Sequence, residues 1–587
     1  LKPASPKLLA FSQILAMWLF LSSLLAFSQS YPVQPESIYN RGIAALQRGD
    51  LKTARADFEK FVRVAPRNAE GQNSLGWVLW LQGDLDTAFT HFRTAVRIKP
   101  DYARAHVNLA NALAQKQDLR GALAEAQSAV KLAADDPEAH RALGRILSFQ
   151  GQLNAGIDEL RRATQLEPRS AQLHDELGSL LAQASRMDEA AAEFSQALQL
   201  QPDYPQAHLH LGVVRLQQKS FEDAEQHLSA ATRLTPNDPQ AHRYLSELLE
   251  NKGDHDGAIR ELQTSVKLQP GNADTQSRLG LLLQRAGDLD NAIAALRRAV
   301  ELHPSDAAVH NNLGLAMIQA GDASGSIREL QTALRLRPDD TGYRGNLGVA
   351  YLQKADFDSA ITQFQTALQA SPDDATLHYN LGLALKFKDR LPDAIAEFQR
   401  AAELNPQQPD IHYSLGITLW QQGEFDKAAD QLRAAIQAKP DYAEAYYTLG
   451  TVLKQQGTLP EAIKALREAV RLQPDFAGAH TTLAAILRQQ GDSEGAKAEN
   501  QLAQQISKNK TSLQAATFAT NSGKRLLNIG DTDGAIQQFR SAIDQVPSYA
   551  PAHYHLAEAL QRKGNSAEAK KEFQKAAELD PHLTPSP

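Results

Sequence analysis

Cysteine is absent from all 587 residues. No disulfide, thiolate nucleophile or cysteine-bound metal is therefore available. The absence fits an exported chain, but many cytosolic chains share it. Aromatic residues are scarce, at 6%. No long run of one charge sign occurs, and the net charge is only -7 with pI near 6.2. A nucleic-acid-gripping surface is not expected from such a balance. There is no Gly-rich phosphate loop, no H-E-x-x-H and no acidic metal cluster. Paired carboxylates recur only as turn residues, Asp339-Asp340 and Asp373-Asp374. The stretch Gly491-Asp492-Ser493-Glu494-Gly495 formally matches G-x-S-x-G. That motif needs a strand before it and a helix after it. Here it falls on a turn between two predicted helices, where other segments carry Gly49-Asp50, Gly83-Asp84 and Gly287-Asp288. No catalytic residue, cofactor or metal site is expected.

What is present begins with residues 1–30. Lys2 and Lys7 precede an apolar run from Leu8 to Phe27, followed by Ser28-Gln29-Ser30. This is the order of a secretory signal peptide, with cleavage expected after Ser28 or Ser30. At about 20 residues the run is also long enough to span a bilayer, so an uncleaved N-terminal anchor is the alternative. Either reading places the chain in the periplasm or at the membrane.

The rest is one unit written many times. Prolines stand at 66, 100, 168, 202, 236, 270, 304, 338, 372, 406, 440 and 474, separated by 34 residues or twice that. Proline one turn past a helix is a stop signal, because it cannot continue the hydrogen-bond ladder. Pro547 and Pro581 resume the period after a gap of two units plus five residues. With that proline as position 32, position 8 is Gly in twelve of sixteen units, including Gly76, Gly314, Gly382 and Gly450. A mid-helix Gly costs about 1 kcal/mol relative to Ala. Close helix approach is the reason to keep it. Position 20 is Ala in fourteen units and position 27 Ala in fourteen, while position 24 is usually Phe or Leu. Small residues at fixed helical offsets facing one bulky residue describe two tightly packed antiparallel helices. Residues 35–510 carry fourteen such units. Residues 511–515 are read as an insertion or linker, and 516–583 as two further units that start a partly separate stack. The second helix of unit fourteen is expected to run long, past Lys508.

Leu-Gly at positions 7 and 8, Ala at 20, Phe or Leu at 24, Ala at 27 and Pro at 32, with period 34, resemble the tetratricopeptide repeat. The resemblance spans Pro35 to Leu583. It implies an all-α solenoid, a right-handed superhelix of about sixteen helical hairpins, with the first helix of each lining a concave groove. It also implies a scaffold that binds a protein or peptide rather than an enzyme. Ten units carry His at position 4, from His106 to His553. Neighbours in that row are about 10 Å apart, too far to share a metal whose ligands sit near 2 Å. The family often has an aromatic residue there, so these are read as packing histidines.

In such a repeat, positions 2, 5, 6, 9, 12 and 13 face the groove. Tyr379, Tyr413 and Tyr447 form an aromatic row at position 5, with Trp420, Phe387, Lys386 and Lys454 on the same predicted face. Exposed aromatics beside lysine suit an extended, acidic segment. Asn108, Asn312, Asn346 and Asn380 occupy position 6, where an amide offers a donor and an acceptor to a peptide backbone. This is similar to a partial version of the asparagine ladder in the repeat region of protein O-GlcNAc transferases, whose catalytic domain has no counterpart here. Trp77 and Trp80 form a second candidate patch. The chaperone-type dicarboxylate clamp needs Lys at position 5 and Asn at position 9, and no unit has both. The functional expectation is an exported scaffold binding protein segments. The alternative is a non-catalytic targeting module for a separate enzyme, such as a glycosyltransferase, or for secretion machinery.

Overall fold

The computed structural model describes residues 33–583. The apolar run at Leu8 to Phe27, and both readings of it, lie outside the described residues. Among the described residues there are 31 helices and no strand, and no helix is long and apolar enough to cross a membrane. Each repeat is a first helix of about thirteen residues and a second of about fourteen, as in Ala443–Gln455 and Leu459–Leu472. Within each compact unit, consecutive helical hairpins pack side by side.

The turn between the two helices is built the same way each time. Position 15 is left-handed in every repeat: Gly457 has φ +79° and Gly491 φ +88°. Glycine takes that conformation without a Cβ penalty. The next residue is often Asp, which caps the second helix. Asp492 accepts from the Gly495 N–H at 2.8 Å and Asp322 from the Gly325 N–H at 2.8 Å. This repeated Gly-Asp cap accounts for the apparent nucleophile motif at 491–495. Five repeats place a side chain at position 15 instead: Gln117, Ser185, Lys219, Ala355 and Asp389.

Position 8 explains the tight pairing. A Cβ on Gly450 would lie 2.6 Å from Leu466 Cγ, and one on Gly382 would lie 2.7 Å from Phe398 Cδ1. Phe364, Phe398, Leu432 and Leu466 at position 24 are fully buried over these glycines. Where position 8 is Ala110, position 24 has shrunk to Ala126. Where it is Ser246, the hydroxyl donates to the Ala258 carbonyl at 2.8 Å, so the buried oxygen is satisfied.

The chain forms two compact units, repeats 1–8 and repeats 9–16, divided between Leu302 and His303. Within the second unit, Ser493–Asn528 is one continuous helix of 36 residues. It joins the second helix of repeat 14 to the first of repeat 15. Residues 511–515, read from the sequence as a linker, are helical and lie inside it. The inserted residues contain no Gly or Pro to stop the ladder. Repeats 15–16 bury their own cluster around Phe539, Leu556 and Leu560.

Candidate functional site

The position-4 histidines do more than pack. His106, His140, His174, His242, His310, His378, His480 and His553 each bring Nδ1 within 2.5–2.7 Å of a Glu at position 23 on the second helix. Nε2 of the same rings faces the carbonyl of the residue at position 32 of the preceding repeat, as His174 does Pro168 at 3.2 Å. Each ring therefore ties the two helices of its own repeat to the turn that precedes them. His412 uses Gln431, and Arg344 reaches the Pro338 carbonyl at 2.7 Å and Gln363 at 3.5 Å. Repeat 2 inverts the pair: His91 meets Gln72, and Gln72 donates to the Pro66 carbonyl. At His174 the two ring nitrogens face a carboxylate and a carbonyl, both of them acceptors. At His174 the Glu193 hydrogen bond raises the ring above its ordinary value.

Consecutive first helices also touch along one face. The residue at position 5 of one repeat bonds the residue at position 6 of the next. Tyr39 meets Ser74 at 3.0 Å, and Tyr379 meets Ser414 at 3.3 Å. Asn108 donates to Asn73 Oδ1 at 2.8 Å, and Asn346 to Asn311 Oδ1 at 2.8 Å. Two of the four predicted asparagines thus spend an amide N–H on the scaffold. Asn108 is buried outright, which corrects its reading as a ligand-facing group. Asn380 is different. The residue before it in this row is Gly345, which has no side chain to bond, so Asn380 stays half-buried with no hydrogen-bond partner among the described residues. Asn312 is half-buried and equally uncommitted.

The tyrosines are present at one-repeat spacing, but they are half-buried rather than exposed. Tyr379 packs on Phe398 at 5.8 Å, Tyr413 on Tyr442 at 4.9 Å and Tyr447 on Phe476 at 4.7 Å. Burial raises the Tyr413 hydroxyl above its ordinary value, although its hydrogen bond to Thr448 pulls the other way. Trp420 is half-buried and donates from Nε1 to Gln455 at 2.6 Å. Phe387 is exposed, but it stacks at 5.2 Å on Phe357, the first residue of a second helix. It belongs to the rim rather than to the aromatic row. Trp77 and Trp80 are half-buried in the first unit's cluster, with Trp80 set 6.4 Å from Phe92.

Lys386 and Lys454 are half-buried, and neither has a hydrogen-bond or ion-pair partner among the described residues. Burial alone lowers the Lys386 amine below its usual value. Beside them runs a feature that the sequence reading passed over. Position 9 is Leu315, Val349, Leu383 and Ile417 in repeats 9–12, a half-buried aliphatic row. From position 5 to position 13, the first helices of repeats 9–14 contain no Asp or Glu; their charges are Lys386, Lys454 and Arg488.

The corresponding face of repeats 4–8 is ionic, which the sequence reading also missed. Arg141 Nε donates to Glu176 Oε2 at 2.9 Å and Arg141 Nη1 to Glu138 at 3.0 Å. Burial alone would raise the Glu176 carboxyl, but Arg141 outweighs it and holds the group below the usual range. His210 meets Asp175 at 2.8 Å. Burial works against its charge, yet the Asp175 carboxylate raises it above the ordinary value. Arg278 bridges Glu247 and Glu250, and Arg285 also meets Glu250. For Arg141–Glu176 and Asp175–His210 the signal was a charged residue at position 5 followed 35 residues later by its opposite at position 6; the Arg278 and Arg285 pairs join other positions.

Family models described as tetratricopeptide repeat match residues 39–103, 141–205, 277–342, 346–409, 387–443, 413–475 and 447–509. A second model of the same description matches 79–146, 181–248 and 527–584. No curated protein matches the chain. Among solved structures, a crystal structure of MamA is similar at 27% identity, covering 28% of this chain and 96% of that one, with TM-score 0.28. YrrB, described as a TPR protein with an unusual peptide-binding site, is similar at 26% identity over 32% of this chain and 95% of its own, with TM-score 0.28. The pilF protein of Pseudomonas aeruginosa is 21% identical over 36% of this chain and 97% of its own, with TM-score 0.33.

Proposed function

The chain belongs to the tetratricopeptide repeat family, and from that premise we propose that it is a protein-interaction scaffold holding an extended protein segment against the first-helix face of repeats 9–14. One observation carries the choice of face. Side chains there are uncommitted: Asn312, Asn380, Lys386 and Lys454 lack partners among the described residues, beside the half-buried row Leu315, Val349, Leu383 and Ile417. Contiguous apolar surface rimmed by unpaired polar groups is what a partner covers favourably. The backbone of an extended segment would meet the amides, and its side chains the aliphatic row. The scaffold is preorganised by the histidine and position-5 bonds, which lowers the ordering cost of binding. The basic flank and apolar run at Lys2–Phe27 support export, to the periplasm or to the membrane.

A photo-crosslinking residue tests this. Placed at Asn380 or Leu383 in the full chain, it is expected to capture a protein partner in cells. Placed at the exposed second-helix residue Gln399, it is expected to capture none. Crosslinks from Gln399 with none from Asn380 and Leu383 would put the binding surface elsewhere.

A further inference from the structure

The first-helix face of repeats 9–14 is more selective than an apolar surface need be. Its helices carry only two carboxylates, both in first turns: Glu444, and Asp410, which accepts from the Tyr442 hydroxyl at 2.9 Å. Beyond the first turn, three cations face no acid from the same helices. In repeats 4–8 the comparable arginines are largely neutralised by their neighbours. Half-burying an unpaired ammonium is unfavourable unless something offsets it. At Lys386 burial lowers the amine, and no acid among the described residues stands beside it to offset this.

Resting on the reading that this face binds a segment, we infer that the segment is acidic: an extended stretch whose carboxylates reach Lys386 and Lys454, with uncharged residues between them covering Leu383, Ile417 and Trp420. The spacing follows from the repeat. Lys386 and Lys454 occupy position 12 two repeats apart, or roughly 20 Å at about 10 Å per packed helix. An extended chain advances about 3.3 Å per residue, so the two carboxylates stand about six residues apart. Arg488, one repeat further and exposed, admits a third acid about three residues beyond. Between the lysines, the half-buried Trp420 is anchored by its bond to Gln455 and offers apolar area without a charge of its own. A basic segment would set like charges together along the same line, which disfavours binding.

The test is a selection of random displayed peptides, about twelve residues long to span the face, against the full chain. Selected peptides are expected to carry two carboxylates about six residues apart. Lys386→Ala and Lys454→Ala should each weaken a selected peptide about ten-fold, and Glu→Gln at the matching peptide position should do the same. A Lys386→Glu/Lys454→Glu chain should select basic peptides instead. Both lysines lack internal partners among the described residues, so these variants are expected to fold, which circular dichroism would check. Peptides that lose binding on Leu383→Ser yet show no acidic preference would overturn the inference and leave the binding face standing. Peptides indifferent to Leu383→Ser and to both lysine substitutions would overturn the two together. A selection that returns no binder would overturn the acidic inference.

Discussion

Repeats 4–8 and repeats 11–14 share one scaffold but use its first-helix face in opposite ways. In repeats 4–8 the charged groups bond to one another, as Arg141 does to Glu176 and Arg278 to Glu247. In repeats 11–14 the first-helix cations Lys386, Lys454 and Arg488 form no ion pair among the described residues, and Leu383 and Ile417 nearby stay half-buried. A groove residue is therefore not a binding residue by position alone. Its availability depends on what the next repeat places opposite. Arg145 marks the boundary of the rule: its guanidinium has no hydrogen bond among the described residues, and burial, helped by the nearby Arg141 charge, lowers it against the opposing pull of Glu176 and Glu138.

The contrast can be broken most directly through stability. Arg141→Leu should leave the half-buried Glu176 without its counterion and destabilise repeats 4–5 by about 3 kcal/mol. Because a solenoid responds mainly to nearest neighbours, hydrogen exchange should show the loss locally. Lys386→Ala, the matched change on the other face, should stay within about 0.5 kcal/mol. Equal losses would mean that both faces are structural.

A smaller effect sharpens the comparison through pH. His174 and His210, both in the first unit, have raised folded values relative to the ordinary 6.5. A raised value means that the folded state holds the proton more tightly. Their contribution is then fully present below the unfolded value and is lost as pH rises through the folded one. Repeats 5–6 should accordingly be more protected from exchange at pH about 6 than at about 8. His174→Gln with His210→Gln should flatten that dependence, and an unchanged slope would reject the assignment.

The smallest effect tests that the scaffold is common to both regions. Lys219 and Ala355 each hold a left-handed turn, with φ +60° in both. Lys219→Gly and Ala355→Gly should each stabilise by about 0.5–1 kcal/mol, one in each unit, read as similar shifts in urea midpoint. A gain in one and not the other would show that the turns differ in strain.

The helices and their pairing were legible because their determinants are local and repeated. Gly382 and Phe398 are sixteen residues apart in one hairpin, and the same spacing recurs along the chain. The long helix at Ser493–Asn528 was half legible: its continuation past Lys508 followed from the lack of a stop, while the linker at 511–515 did not form. The histidine staples were in principle readable, since eight of ten position-4 histidines have Glu nineteen residues on. A family habit of placing an aromatic there drew the reading toward packing.

The sequence by itself determined the hairpin, its turns, its close crossings and its repetition, because each depends on side chains within one period. Only the tertiary structure decided which groove groups remain free. Asn346 and Asn380 occupy the same position in consecutive repeats, yet one bonds Asn311 and the other faces Gly345. Tyr379, Tyr413 and Tyr447 look alike in the sequence and prove half-sunk against aromatic neighbours. The physical reason is that a polar side chain is satisfied by whatever comes within hydrogen-bond reach, and on this face that group belongs to the adjoining repeat.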